Sequence, residues 1–272
     1  MEVQPFLGPG LIDSIRVSTR PDSLDGEILS LLKDYGVKTI EIGAQSMIDQ
    51  ILQQSQRGHV AENTISSVSR LKKWGFDVGI HLMMGLPGDS RELFLRSIDQ
   101  VIGLKPDFVR IHPTLVLRGA GLENLWKKGE YLPLSLDETI LWLKEGLLRL
   151  ERASIPVARI GLQTDRTLEK HFIAGPYHPA LHQMVDSAIA FDMAARLLKN
   201  HSNGREVTFI CHPREVSNLR GQRNRNIMDL QAQFHLKEIL IQGSEEVTRG
   251  SLVMITSKGC VSINRMKFYP DS

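Results

Sequence analysis

The sequence predicts an α/β protein: a partial β/α barrel followed by a small C-terminal α/β region. Two observations carry this. From about residue 13 to 112, short apolar runs alternate with amphipathic stretches of ten or more residues, and strands separated by helices of that length pair in parallel through crossovers. The short runs are also largely apolar, as expected of a sheet covered on both faces.

The elements follow in order. SIRVS (14–18) reads as a strand, and DGEILSLLKDYG (25–36) as a helix closed by Gly36. KTIEIG (38–43) is the next strand, followed by a helix bearing Ile65, Val68 and Leu71 that ends near Trp74-Gly75. VGIHLMM (78–84) is a strand ended by Gly85-Leu86-Pro87-Gly88, RELFLRSIDQVIG (91–103) a helix, and DFVRIHP (107–113) a strand. A β/α barrel is the first expectation for how such units close, and an open doubly wound sheet the second. The units are too few to close a barrel, and Met1–Asp13 reads as the end of a helix already under way. The first barrel units are therefore expected to be missing.

After residue 113 the pattern changes. A short helix falls in LENLWKKG. A long one runs from Leu136 to Ala153, with Ser135 as N-cap and Glu138 completing a capping box. IPVARIGLQ (155–163) is strand-like, AGPYHPALH (174–182) is a loop, and a helix passes through Ala195 and Leu198. Strand EVTFICH (206–212), helical PREVSNLR, the turn GQRN (221–224), helix RNIMDLQAQF (225–234) and strands EILIQ (238–242) and SLVMIT (251–256) complete the chain. This gives three expected segments: a half-barrel over 1–135, a helical extension packing on it over 136–200, and an α/β appendage over 201–272.

Composition narrows the class. An apolar content of 42% over 272 residues supports a sizeable core, and a net charge of +2 favours no partner by itself. No apolar run reaches the ~18 residues of a membrane span, and no secretory leader is evident. Cys211 and Cys260 form no CxxC pair, which argues against a disulfide framework and for a reduced, cytoplasmic setting.

In a β/α barrel the working residues stand at the C-terminal ends of the strands. That rule selects Ser18, Thr19 and Arg20; Gly43 and Gln45; His81 and the Gly85–Gly88 turn; and His112, Thr114 and Arg118, the last three on the expected substrate side. Arg57 and His59 join them from the loop QRGH. The set is rich in amide, hydroxyl, imidazole and guanidinium groups. It contains no carboxylate pair, no GxSxG elbow and no phosphate-binding glycine loop. Such a rim suits a zwitterionic or polyhydroxylated ligand. Each member has a plainer reading: Arg20 as a turn salt bridge, Gln45 as a helix cap, His81 as a satisfied core histidine, GLPG as a tight turn. A metal site built on His59, His81 and His112 is a further alternative.

In order and spacing, STRPD, EIGAQS, QRGH, HLMMGLPG and HPTLVLRGAGLENLWKKGEY resemble the core of radical S-adenosylmethionine (SAM) proteins of the elongator catalytic subunit and oxygen-independent coproporphyrinogen oxidase type. The match runs from Ile15 to about Tyr131. The resemblance implies a TIM-barrel-like half-barrel. It implies SAM held at a [4Fe–4S] cluster by a CxxxCxxC loop, and reductive cleavage to a 5′-deoxyadenosyl radical, with the protein positioning and insulating the cofactor. It places Ser18, Arg20, Gln45, Arg57, His81, Met84, Gly85, Leu86 and Pro87 at the SAM site, with Arg57 facing the SAM carboxylate. It suggests tRNA as substrate.

The departure is that CxxxCxxC is absent, and two cysteines are too few to ligate a cluster. The expectation is a truncated chain that is inactive alone. In the appendage, Arg214, Arg220, Arg223 and Arg225 are interleaved with asparagines, and Gly221-Gln222-Arg223-Asn224 is loosely similar to the backbone-clamping loop of a KH module. A cluster-free RNA-binding protein is therefore the second expectation, with a solvated arginine face as its plainer alternative.

Overall fold

The computed structural model describes residues 6–8, 10–163, 166–201, 205–256 and 259–268, and divides into two compact units. The first comprises Met1–Trp142 and Arg149–Pro179, the second Leu143–Leu148 and Ala180–Ser272.

The first unit contains β1 (Ile15–Thr19), α1 (Gly26–Asp34), β2 (Val37–Gln45), α2 (Asp49–Gln54), α3 (Ala61–Lys73), β3 (Asp77–Met84), α4 (Arg91–Leu104), β4 (Phe108–Pro113), β5 (Val116–Leu117) and α5 (Gly121–Lys127). Helix α6 (Leu136–Arg152) follows, with β6 (Val157–Ile160), α7 (Arg166–His171) and β7 (Phe172–Ala174). The main sheet has the order β1-β2-β3-β4-β6, and every adjacent pair is parallel. Because each strand lies beside its sequence neighbour, the sheet winds in one direction. A doubly wound sheet must reverse its order at a switch point, so the winding is that of a barrel. Strands β5 and β7 form a separate antiparallel pair.

One face of this sheet is the core. Ile40, Ile42, Val78, Ile80, Leu82, Val109 and Ile111 are fully buried, as are Leu71 of α3 and Ile98 and Val101 of α4. Each such side chain contributes roughly 1.5–3 kcal/mol through burial. The caps agree with the sequence: Asp25 accepts from Ile28 N at 2.8 Å, Ser90 from Leu93 N at 3.3 Å, and Ser135 and Glu138 form the expected capping box.

Two expectations are corrected. The sheet is not uniformly apolar, because its other face carries Glu41, Gly43 and Gln45 on β2, His81 and Met83 on β3, and Arg110 and His112 on β4, alternating with the core residues. Long apolar side chains on the core face mask this period of two in the sequence. The helix end expected over Met1–Asp13 does not continue past Phe6 among the described residues, Phe6 itself lying in a 3-10 turn. Met1–Pro5 lie outside the described residues. Beyond them the chain turns back, with Ile12 N donating to Phe6 O at 3.0 Å and Gly8 and Gly10 at positive φ. Glycines at 8 and 10 around Pro9 are poor helix formers.

The second unit contains α8 (Leu181–His201), β8 (Glu206–Cys211), α9 (Val216–Arg220), α10 (Arg225–Phe234), β9 (Glu238–Gly243), β10 (Ser251–Thr256) and β11 (Gly259–Asn264). Its sheet has the order β11-β10-β8-β9, with β8 and β9 parallel and the other pairs antiparallel. Phe209, Met254, Leu230 and Ile189 are fully buried in this unit, and Val185 with them. Among the described residues, no helix is long and apolar enough to cross a membrane.

Candidate functional site

The candidate site is a cleft at the C-terminal ends of β1 and β2, closed on one side by the loop between α2 and α3. It is lined by Ser18, Thr19, Arg20, Gly43, Gln45, Arg57, His59 and His81 and has a cavity volume of about 340 Å³, at the small end of the usual range of small-ligand sites. Five of the nine residues assigned to SAM by resemblance thus share one cleft: Ser18, Arg20, Gln45, Arg57 and His81.

Local structure explains how they are presented. Strand β2 ends in an irregular register against β3 between Ile42 and Gln45, and Gln45 takes a positive φ of 67°. Its side chain folds back over Gly43, where an added Cβ would lie 2.8 Å from Gln45 Nε2. Beyond it, Ser97 anchors the chain by accepting from Met47 N at 3.1 Å. The QRGH loop is set by α2 and α3: Arg57 N donates to Leu52 O at 3.0 Å, Asp49 accepts from Ala61 N at 2.7 Å, and Asn63 accepts from Val60 N at 2.9 Å.

Arg57 is half-buried in the cleft. Burial lowers its pKa, and the nearby Arg20 charge lowers it further. Its Nη2 lies 3.2 Å from Met83 Sδ, a weak acceptor. No carboxylate pairs with it among the described residues. His59 is buried, with Nε2 3.2 Å from Ala44 O and Nδ1 without a hydrogen-bond partner. With Nε2 donating to that carbonyl, Nδ1 is an unused acceptor. Arg20 follows its plainer reading: it makes a bidentate pair with Asp22, at 2.9 and 2.7 Å, in an exposed turn. That pair holds the Asp22 carboxyl below its usual range.

Deeper on the same face lies a charge cluster that sequence reasoning missed. The Glu41 carboxylate is almost fully buried and meets Arg16 Nε at 3.0 Å, Arg110 Nη2 at 3.2 Å, and His81 Nε2. The legible signal was its position in KTIEIG, two residues before Gly43 and four before Gln45, hence on the same face. His81 is therefore an oriented histidine. It stands edge-on to His112 with ring centroids 5.6 Å apart. Burial lowers the His112 pKa, and His81 adds to the effect. His112 Nδ1 lies 3.0 Å from Gly161 O.

The remaining sequence candidates are placed elsewhere. The Met84 side chain is fully buried on the core face of the sheet. Gly85, Leu86 and Pro87 do not line the cleft. Their turn is pinned by Asp89, which accepts from Gly85 N at 2.9 Å, and by Tyr131, whose hydroxyl donates to Gly85 O at 2.7 Å. Burial pushes the Asp89 carboxyl up to about 6, and burial also raises the Tyr131 hydroxyl. Thr114 is buried and donates to Met84 O at 2.8 Å, and Arg118 is exposed. Among the described residues no group of three or more His, Cys, Asp or Glu is arranged to hold a metal ion, so His59, His81 and His112 are not gathered into one. In the second unit, Arg214, Arg220, Arg223 and Arg225 are all exposed around α9 and the start of α10.

Comparisons with known proteins fit this geometry. Residues 9–101 match the model described as the Radical SAM superfamily, and residues 106–190 the Radical_SAM C-terminal domain. The tRNA uridine(34) acetyltransferase of Methanocaldococcus jannaschii is 35% identical over 127 residues, covering 46% of this chain and 24% of that protein. Elongator complex protein 3 of Mus musculus is 36% identical over 132 residues, with the same coverage, 46% and 24%. The chain thus spans about a quarter of the length of these relatives. The solved structure of archaeal Methanocaldococcus infernus Elp3 with an N-terminal deletion superposes with a TM-score of 0.52 at 26% identity, covering 71% of this chain and 43% of that one. The two family models adjoin, together span most of residues 9–190, and coincide with the one-directional parallel sheet and its polar face; the chain belongs to the radical SAM superfamily.

Proposed function

We propose that the cleft at the ends of β1 and β2 binds SAM, that the whole protein carries out the radical SAM chemistry of its superfamily, and that its substrate is a tRNA, supported by a relative named as a tRNA uridine(34) acetyltransferase. The observation that carries the reading is Arg57: a half-buried guanidinium facing a cleft, with no carboxylate partner among the described residues. A buried cation without a counter-ion is costly, and a ligand carboxylate removes the cost through a charge-assisted pair. The unpaired Nδ1 of buried His59 offers an acceptor to a ligand hydroxyl or ammonium. Gln45 supplies an amide beside it, for which Gly43 leaves room. These residues bind and orient the ligand, while Glu41 holds His81 in place behind them.

The iron–sulfur cluster of the family supplies one-electron chemistry when bound. The donor set of this chain does not fit it. Cys211 and Cys260 both lie in the second unit, and burial pushes the Cys211 thiol up to about 11, away from thiolate. No residue here is assigned to the cluster. Two free thiols suit a reducing, cytoplasmic setting.

Calorimetric titration with SAM tests the reading. Arg57→Met is expected to weaken binding by roughly 10- to 100-fold, the equivalent of one charge-assisted hydrogen bond, with an unchanged circular dichroism spectrum. Equal affinity for both proteins would remove the carboxylate role.

A further inference from the structure

We propose that the second unit carries an RNA-binding surface centred on the turn between α9 and α10, formed by Arg220, Arg223 and Arg225. It deepens the tRNA part of that proposed function by naming a surface for the RNA, and it does not rest on SAM binding in the cleft.

Four features meet there. The first is topology. Strand β8, helix α9, a short turn, helix α10 and strand β9 run consecutively, and β8 and β9 pair in parallel from Glu206↔Glu238 to Cys211↔Gly243. Two helices joined by a tight Gly-led turn and flanked by two strands is the arrangement in which a loop grips the backbone of a single nucleic-acid strand.

The second is the build of the turn. Gly221 has φ 71°, and a Cβ there would lie 2.8 Å from Asn226 Cγ. Asn226 is itself fixed, donating to Ser187 O at 3.0 Å and Asn218 O at 3.1 Å. Arg223 and Asn224 both adopt left-handed backbone, with φ of 51° and 61°. They are the only consecutive non-glycine pair that does so among the described residues. An arginine held in that conformation on an exposed turn is the kind of outlier that points to function.

The third is charge. The stretch 213–226 holds four arginines and one acid, Glu215. Glu215 is turned away, accepting from Gly250 N at 3.0 and 3.1 Å. Arg225 meets Asp229 at 3.5 Å on the surface. Arg214, Arg220 and Arg223 pair with no carboxylate among the described residues. Arg220 instead reaches Asn224 Oδ1 at 3.5 Å. These cations are therefore available for phosphates.

The fourth is the company they keep. Gln222 and Asn224, exposed beside the arginines, supply both donors and acceptors of the kind that pair with base edges. The edge strand β9 leaves one side of its backbone unpaired within the sheet. Arg214, one helix earlier, extends the basic track.

The test is fluorescence anisotropy of the full chain with a labelled single-stranded RNA of mixed sequence, repeated with DNA of the same sequence. Two charge-reversal variants are compared: R220E/R223E/R225E, and K38E/K73E/K128E on exposed lysines of the first unit, which controls for net charge. Circular dichroism and thermal unfolding check that each variant is folded. The expected result is RNA binding whose logarithm falls against log salt with a slope of about −2, as for three phosphate contacts on a single strand. The arginine variant should lose affinity at least tenfold, the lysine variant far less, and RNA should be preferred over DNA. No RNA binding by the parent chain, equal loss in both variants, or equal affinity for DNA would each overturn the proposal. Because SAM titration is read separately, failure here leaves the cleft reading standing, and failure of the cleft leaves this one.

Discussion

Glu41 shows how a single residue can organise the polar face without touching the ligand. Its nearly buried carboxylate forms ion pairs with Arg16 and Arg110 and meets His81. Glu41→Gln removes the charge and leaves Arg110 and His81 partly buried without it. The expected loss is near the lower end of roughly 3–5 kcal/mol, because Arg16 stays half exposed, and urea unfolding measures it. Asp89 behaves oppositely. Burial raises its carboxyl to about 6 from an ordinary value near 3.8. The folded state then holds a proton that the unfolded state releases. The stability tied to that proton is fully present below about pH 4 and is lost as pH rises through 6. Asp89→Asn cannot show this dependence, so the wild type should lose stability relative to the variant as pH rises from 4 through 6. A stability difference constant with pH would contradict the assignment. At this scale the sequence was informative about residue type and less so about partners. Arg20 and Arg57 look alike in STRPD and QRGH, yet one is neutralised by Asp22 two residues on and the other pairs with no carboxylate among the described residues. Burial decides between them, and it is not written locally.

The β/α units were legible because apolar runs alternate with amphipathic stretches and α1, α4 and α6 carry side-chain caps at Asp25, Ser90 and Ser135. Strand β11 was not. Only Val261, Ile263 and Asn264 of GCVSIN are partly covered and none is buried, so no apolar run marks it. The pair β5–β7 joins two and three residues some fifty positions apart, which no local pattern announces. Within the main sheet, Gly79 has a definite task. A Cβ there would lie 2.4 Å from the Phe108 ring on the next strand and 3.1 Å from Glu41 Cγ. Gly79→Ala should therefore cost about 1–3 kcal/mol from overpacking, detected as a lower midpoint in thermal unfolding. An unchanged midpoint would mean that the β3–β4 pairing has slack that the structure does not show.

For the whole molecule, the one-directional strand order and the segregation of polar from apolar residues onto opposite faces make the first unit a scaffold with a single working end. The second unit is a separate α/β layer with its own core and its own basic turn. The fold class could be read from the alternation of elements, and much of the cleft from the strand-end rule. The exclusion of Met84 and the Gly85–Pro87 turn from the cleft could not, because it depends on the parity of β3 and on how Asp89 and Tyr131 pin the chain. Hydrogen–deuterium exchange of the full chain with and without SAM tests the central claim most directly, since it reports where the ligand sits. Added protection is expected in peptides covering Ser18–Arg20, Gly43–Gln45 and Arg57–His59, with the second unit unchanged. Protection confined to the second unit, or none anywhere at saturating SAM, would contradict the cleft as the SAM site.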